Sequence, residues 1–167
     1  MKKISFVVIT LFGLFLVSSC KNKNNQTREE RIEEFRSMLT ASDTVQMLQL
    51  CDNAMEQLKA KNIDQVIASL HEYNDSTGEL SPLSEQMKQS LQRKFKMFPV
   101  LDYKKTYYSF MLEGCNDVQY EVTFSPADQA GTEKAPTVMY MFNPVKVDDE
   151  WKLCVKTPKD EIDAEHQ

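Results

Sequence analysis

The chain has 167 residues, with 20 Lys+Arg against 25 Asp+Glu and a net charge of -5. The acidic balance argues against nucleic acid, whose phosphates need clustered Lys/Arg. Four glycines and two histidines leave little material for a glycine-rich phosphate cradle, a His-rich zinc site or a His-dependent triad.

The N-terminus carries an address. Met1-Lys2-Lys3 is a short basic start, and Ile4 to Val17 is an apolar run broken only by Ser5, Thr10 and Gly13. A bilayer core of about 30 Å takes about 20 apolar residues as helix, so this run is too short to span and suits the central region of a secretion signal. Val17-Ser18-Ser19-Cys20 follows, with small residues before the cut and a cysteine directly after it. This segment resembles a bacterial lipoprotein signal with its lipobox, with Val17 where that pattern most often has Leu. The resemblance implies that Cys20 receives diacylglycerol on sulfur, that residues 1–19 are removed, and that several acyl chains hold the protein at about 0.8 kcal/mol per buried CH₂. An ordinary secretory signal with an incidental Cys20 is the plainer alternative. Cleavage takes two lysines and no acid, so the net charge goes from -5 to -7 and does not favour a second grip on anionic lipid. Residues 20–27 are the lipidated cysteine and a polar tether. By resemblance, the absence of an acidic run after Cys20 favours the periplasmic side over the cell surface. The absence of Asp directly after it favours the outer membrane.

Residues 28–157 read as one domain. Thr27-Arg28-Glu29-Glu30 fits a capping box, and Ile32, Phe35 and Leu39 recur at helical spacing. Thr40-Ala41-Ser42-Asp43 offers a second cap, and Val45, Leu48, Cys51, Met55 and Leu58 mark the next apolar stripe. Asn62 starts a third helix, buried through Ile63, Val66, Ile67 and Leu70, with His71-Glu72-Tyr73 at its end. Asn74 to Gly78 is a loop by composition. Ser81-Pro82 predicts a helix start, followed by Leu83, Met87, Leu91, Phe95 and Phe98, and closed by Pro99.

The period then changes. Tyr103 to Leu112 and the faultless alternation Val118 to Phe124 predict two strands. Val138 to Phe142 is a continuous apolar run, and Trp151, Leu153 and Val155 alternate in a last strand after the turn Asp148-Asp149-Glu150. Residues 158–167 read as a fraying tail. The expectation is α+β: helices on one face of a curled antiparallel meander of about four strands. The lysine-rich turn Lys59-Ala60-Lys61-Asn62-Ile63-Asp64 and the ending Asp149-Glu150-Trp151-Lys152-Leu153 resemble the cystatin-like roll of the nuclear transport factor 2-like superfamily over roughly residues 43–156.

Apart from Cys20, the cysteines are Cys51, Cys115 and Cys154. An exported protein permits disulfides, so Cys115 and Cys154, both in the sheet half, are the expected pair, and Cys51 on its apolar stripe packs as a small hydrophobe. The alternative for Cys154 is a redox thiol lowered by Lys152 and Lys156. His71 beside Glu72 is either a general base or, more simply, a helix-terminal histidine in water. Asp148-Asp149-Glu150 lacks the glycine and spacing of a calcium loop and reads as a solvated turn. Tyr103, Tyr107, Tyr108, Tyr120, Tyr140 and Trp151 either wall a cone-shaped pocket for an apolar ligand or fill the core. Trp151 is expected to pack with Leu153 and Val155 against the Leu83–Phe98 stripe. The resembling superfamily contains isomerases and dehydratases with an Asp in the cone. Asp102 precedes a strand but matches no motif, so no catalytic residue is carried over.

The reading that follows is a non-enzymatic envelope lipoprotein binding a protein or an apolar ligand. A small Asp/Tyr enzyme and a purely structural envelope component are the alternatives. No cofactor, metal or nucleic acid is expected.

Overall fold

The computed structural model describes residues 26–156 apart from residues 75, 113 and 132. Cys20, the signal segment and the tail lie outside the described residues. The elements are α1 (Arg28–Met38), α2 (Ala41–Lys59), α3 (Ile63–Ser69), β1 (Leu70–Asn74), β2 (Glu79–Pro82), α4 (Glu85–Met97), β3 (Asp102–Leu112), β4 (Cys115–Thr123), α5 (Ala127–Ala130), β5 (Thr137–Val147) and β6 (Glu150–Val155).

The helix starts follow from capping chemistry. The Thr27 hydroxyl accepts from the Glu30 amide at 3.2 Å, and the Glu30 carboxylate accepts from the Thr27 amide at 3.0 Å. Thr40 and Asp43 repeat the same reciprocal pair at the start of α2. Each box satisfies donors that a helix N-terminus otherwise leaves orphaned. Lys61 turns the chain from α2 into α3 at φ 66°, a left-handed conformation that a non-glycine residue adopts at some cost. Asn62 precedes α3 without a side-chain cap, because its amide donates to Gln57 Oε1 instead.

Two expectations need correction. Leu70 to Tyr73 is strand β1, not a helix end. It pairs in parallel with β6 through Leu70↔Leu153 and His71↔Cys154, and burying Leu70 beside Leu153 outweighs one more turn of α3. Ser81-Pro82 does not open a helix either. Pro82 ends strand β2, which lies at the sheet edge among the described residues, where proline's missing N–H is harmless. The cap of α4 is Ser84, whose hydroxyl accepts from the Met87 amide at 3.3 Å.

Among the described residues the sheet therefore has six strands in the order β2-β1-β6-β5-β4-β3, mixed rather than wholly antiparallel. The four expected strands form its antiparallel part. Asp148 and Asp149 both take positive φ (51° and 63°) between the paired Val147 and Glu150, the two-residue turn that matches strand twist.

The fold is α+β, with the helices on one side of the sheet. Met47, Cys51, Met55 and Leu58 of α2 pack with Val118, Tyr120 and Val122 of β4, Tyr140 and Phe142 of β5, and Leu153 and Val155 of β6. Phe95 of α4 meets Tyr140 edge-on at 5.3 Å between centroids. Phe35 of α1 joins the same core, and the Arg36 Nε–H donates to the Phe110 carbonyl.

Candidate functional site

Three places gather polar chemistry: a seam between α2 and the sheet, the interior beneath it, and a groove at the start of β6.

The seam is built from helical spacing. Asp52, Glu56 and Lys59 recur four and three residues apart, so they share one face of α2. The Tyr120 hydroxyl donates to Asp52 Oδ1 at 2.6 Å, and Lys105 Nζ donates to Oδ2 at 2.9 Å. The Tyr103 hydroxyl donates to Glu56 at 2.5 Å, and Lys59 pairs with Asp102 at 3.0 Å. Burial first, then the hydrogen bond to a carboxylate, pushes both phenols well above their ordinary values. They stay protonated and act as fixed donors. An Asp/Tyr arrangement thus exists, but on Asp52 rather than Asp102, whose side chain is exposed and bound to Lys59. Each Asp52 oxygen already has a protein partner, so the arrangement works as a clasp between helix and sheet.

The interior is filled. Tyr120 and Tyr140 are 0% and 2% exposed. The Tyr140 hydroxyl donates to the Phe98 carbonyl at 2.6 Å, which satisfies its polar end. Among the described residues, a recess of about 50 Å³ lies between α4 and the sheet beside Leu91, Phe95, Tyr140 and Phe142. That holds a few waters, whereas small-molecule pockets run to about 300–1,000 Å³.

The groove lies between α2 and the β5–β6 turn. It measures about 390 Å³ and is lined by Gln46, Gln49, Leu50 and Asn53 on one side and Asp149, Glu150 and Trp151 on the other. Beside it, Trp151 Nε1–H donates to Asp43 Oδ1 at 3.1 Å, and Lys146 Nζ lies 3.2 Å from the same oxygen. The Thr40 hydroxyl and amide, then Trp151, hold the Asp43 carboxyl well below the usual carboxylate range. Trp151 is half-buried, packs on the core, and meets α2 through Asp43 and along the groove. A second surface hollow, of about 340 Å³, separates α3 from α4 and is bridged by Gln92 donating to Asp64 at 3.0 Å.

The remaining candidates disperse. Tyr107 and Tyr108 are 50% and 51% exposed on β3, an edge strand, and so neither fill the core nor wall a cone. Tyr103 is half-buried within the seam. The expected Cys115–Cys154 bridge is not formed. Cys115 opens β4 and Cys154 lies on β6, with β5 between them. Two strand spacings come to roughly 9–10 Å, beyond the roughly 7 Å that a disulfide reaches. Burial pushes the Cys154 thiol up to about 12, the reverse of an activated thiol, and Lys156 Nζ instead pairs with Asp117 at 2.9 Å. Cys51 is fully buried, and burial raises its thiol as well. His71 and Glu72 are strand neighbours, so they face opposite sides of the sheet. Glu72 accepts from the Ser84 hydroxyl at 3.0 Å.

The groove and the Asp43 clasp were missed in the sequence. Their only signal was the Thr40–Asp43 spacing, which reads fully as a capping box. Nothing local reveals that the same carboxylate also meets Trp151, 108 residues away.

No known family profile matches this chain, and no curated protein matches it. Among solved structures it is similar to a putative NTF2-like transpeptidase from Campylobacter jejuni, at 13% identity and a TM-score of 0.37, over 65% of this chain and 96% of that one. A likeness at that level carries no functional argument.

Proposed function

We propose that this chain is a lipid-anchored protein of the bacterial envelope, held at the outer membrane on its periplasmic side, and that its domain is a non-enzymatic binding module. Support for the anchor comes from the sequence: the basic start, the short apolar run and the junction Val17-Ser18-Ser19-Cys20. Among the described residues no helix is long and apolar enough to cross a membrane.

The observation that favours binding over catalysis is the filled interior. With Tyr120 and Tyr140 buried and about 50 Å³ left beside them, recognition falls to the surface. That favours a protein or surface ligand over an apolar molecule enclosed in the core. The half-exposed Tyr107 and Tyr108 on an edge strand, and the groove beside Trp151, are the surfaces on offer.

Cys20→Ser is the test of the anchor. It should abolish incorporation of a fatty-acid label and release the protein from membrane fractions. Unchanged fractionation with unchanged processing overturns the lipid anchor. For the binding reading, photo-crosslinking residues at Tyr108 and at Gln49 in intact cells should give discrete adducts. Their absence at both surfaces overturns it.

A further inference from the structure

We propose that the end of the domain formed by the last turn of α4 and the turn into β3 rests on an anionic lipid surface, with Met97 and Leu101 entering the headgroup layer and Lys61, Arg93 and Lys96 facing the lipid phosphates. This rests on the lipid-anchor reading and adds to it how the tethered domain sits on its membrane.

The inference starts from an imbalance around α4. Residues 86–101 carry four basic side chains and no acidic one, in a chain whose net charge is -5. That net charge disfavours anionic lipid for the molecule as a whole. Salt, however, limits the reach of a charge to about 8–10 Å, so a local cluster decides what its own surface meets. Lys88 is matched by Glu85, and Lys94 Nζ lies 5.1 Å from the Tyr140 ring centroid. Arg93 and Lys96 are exposed. Cations in a last helical turn also favour the helix dipole, which accounts for their sign but not for the apolar side chains among them.

Those apolar side chains are Met97, 66% exposed, and Leu101, 43% exposed. Between them Phe98 packs edge-on against Phe124 at 5.0 Å, and Val100 is buried. The chain thus anchors residues 98 and 100 inside and leaves 97 and 101 outside. Arg93 and Met97 lie four residues apart on one face of α4. Basic side chains lay their stems along apolar surface while their heads stay in water, so methyl-bearing tips ringed by cations suit hydrocarbon under charged headgroups.

The tertiary structure enlarges the cluster. Gln92 Nε2 donates to Asp64 near the start of α3 at 3.0 Å, and Lys59 Nζ at the end of α2 pairs with Asp102, directly after Leu101. These contacts bring the α2–α3 turn, which holds exposed Lys61, to the end of α4. Among the described residues Lys61, Arg93 and Lys96 have no carboxylate partner. Of the nearby acids, Asp102 is matched by Lys59, Glu56 accepts from the Tyr103 hydroxyl and Glu121 stands opposite Lys104. Asp64 offsets part of the cluster from beside Gln92.

The full-length lipidated protein is reconstituted in vesicles of phosphatidylethanolamine with phosphatidylglycerol and, separately, of phosphatidylcholine alone. An environment-sensitive fluorophore is attached at Met97→Cys or, for comparison, at Gln49→Cys on α2, each with Cys115→Ser. Cys51 and Cys154 are buried and stay unlabelled. At position 97 the emission should shift to the blue, and a lipid-borne quencher should reach it, in the anionic vesicles alone. At position 49 neither should happen. Arg93→Glu combined with Lys96→Glu, both exposed, should lower the docked fraction relative to the undocked by about tenfold or more, and raised salt should act in the same direction. Flotation with phosphatidylcholine vesicles reads the acyl anchor by itself. A chain that floats with both vesicles yet shows no shift at position 97, equal shifts in both lipids, or a shift untouched by the double reversal overturns the docking and leaves the anchor standing. A chain that floats with neither overturns the anchor and the docking together.

Discussion

Asp43 ties the start of α2 to β5 and β6. It closes the capping box of α2, accepts the Trp151 indole N–H and faces Lys146, while only 7% exposed. A carboxylate so placed is favoured in its charged form, and its folded value falls below the ordinary 3.8. The sign follows: as pH drops, the unfolded chain takes the proton first, so the stability from Asp43 is full above about pH 4 and is lost below it. Asp43→Asn should therefore lower the urea midpoint at neutral pH and flatten the loss of stability between about pH 4 and pH 2. Equal acid slopes in parent and variant would contradict this. Because Trp151 reports the same contact, its emission should change in Asp43→Asn even where the fold survives.

Helix ends show how far local chemistry reaches. Thr27 and Thr40 are legible as caps because each has an acidic residue three positions later, and both boxes form as read. Ser81-Pro82 carries an equally plausible local signal and fails, since residues 79–82 pair with β1 and the helix waits for Ser84. Ser84 also donates to Glu72, which ties the start of α4 to the sheet. Ser84→Ala should cost about 1 kcal/mol, as lost N-caps do, while Ser81→Ala should stay within about 0.5 kcal/mol. Equal costs, measured by chemical denaturation, would return the cap to Ser81. Buried Asn116 and Asn143 were likewise unreadable. Asn143 Oδ1 accepts from the Asn116 amide at 2.9 Å, and Asn116 Nδ2 donates to the Pro144 carbonyl at 2.7 Å. These bonds satisfy polar groups that burial would otherwise penalise, and they exist only once β4 and β5 lie side by side.

On the scale of the whole molecule, the β1–β6 pairing closes the chain. Leu70 follows the first three helices and Leu153 belongs to the last strand, so their parallel contact joins the two ends of the domain into one sheet. Helices α2 and α4 both pack on that sheet around the same core. Unfolding should accordingly be a single cooperative transition. Trp151 emission, which reports the α2–β6 contact, and far-ultraviolet circular dichroism, which reports the helices, should give coincident midpoints. Separate midpoints would mean that the helical half and the sheet half are independent units.

The sequence alone determined what depends on neighbours a few residues apart. Capping boxes, the 3.6-residue stripe of α2, the alternation of β4 and the acidic two-residue turn before Trp151 each fold from local rules, and together they specify an α+β chain. The tertiary structure decided whatever depends on distant partners. Strand β1 is five residues long and follows directly on a helical stripe, so only its partner on β6 makes it a strand. Whether the aromatic residues enclose a pocket or fill it depends on the summed volume of side chains from α2, α4, β4 and β5. Whether Cys115 can reach Cys154 depends on which strand lies between them. Asp43 reads as a cap from Thr40 to Asp43 and becomes the hub of a clasp only when β6 brings Trp151 to it, because a hydrogen bond forms between atoms about 3 Å apart in space, whatever their separation along the chain.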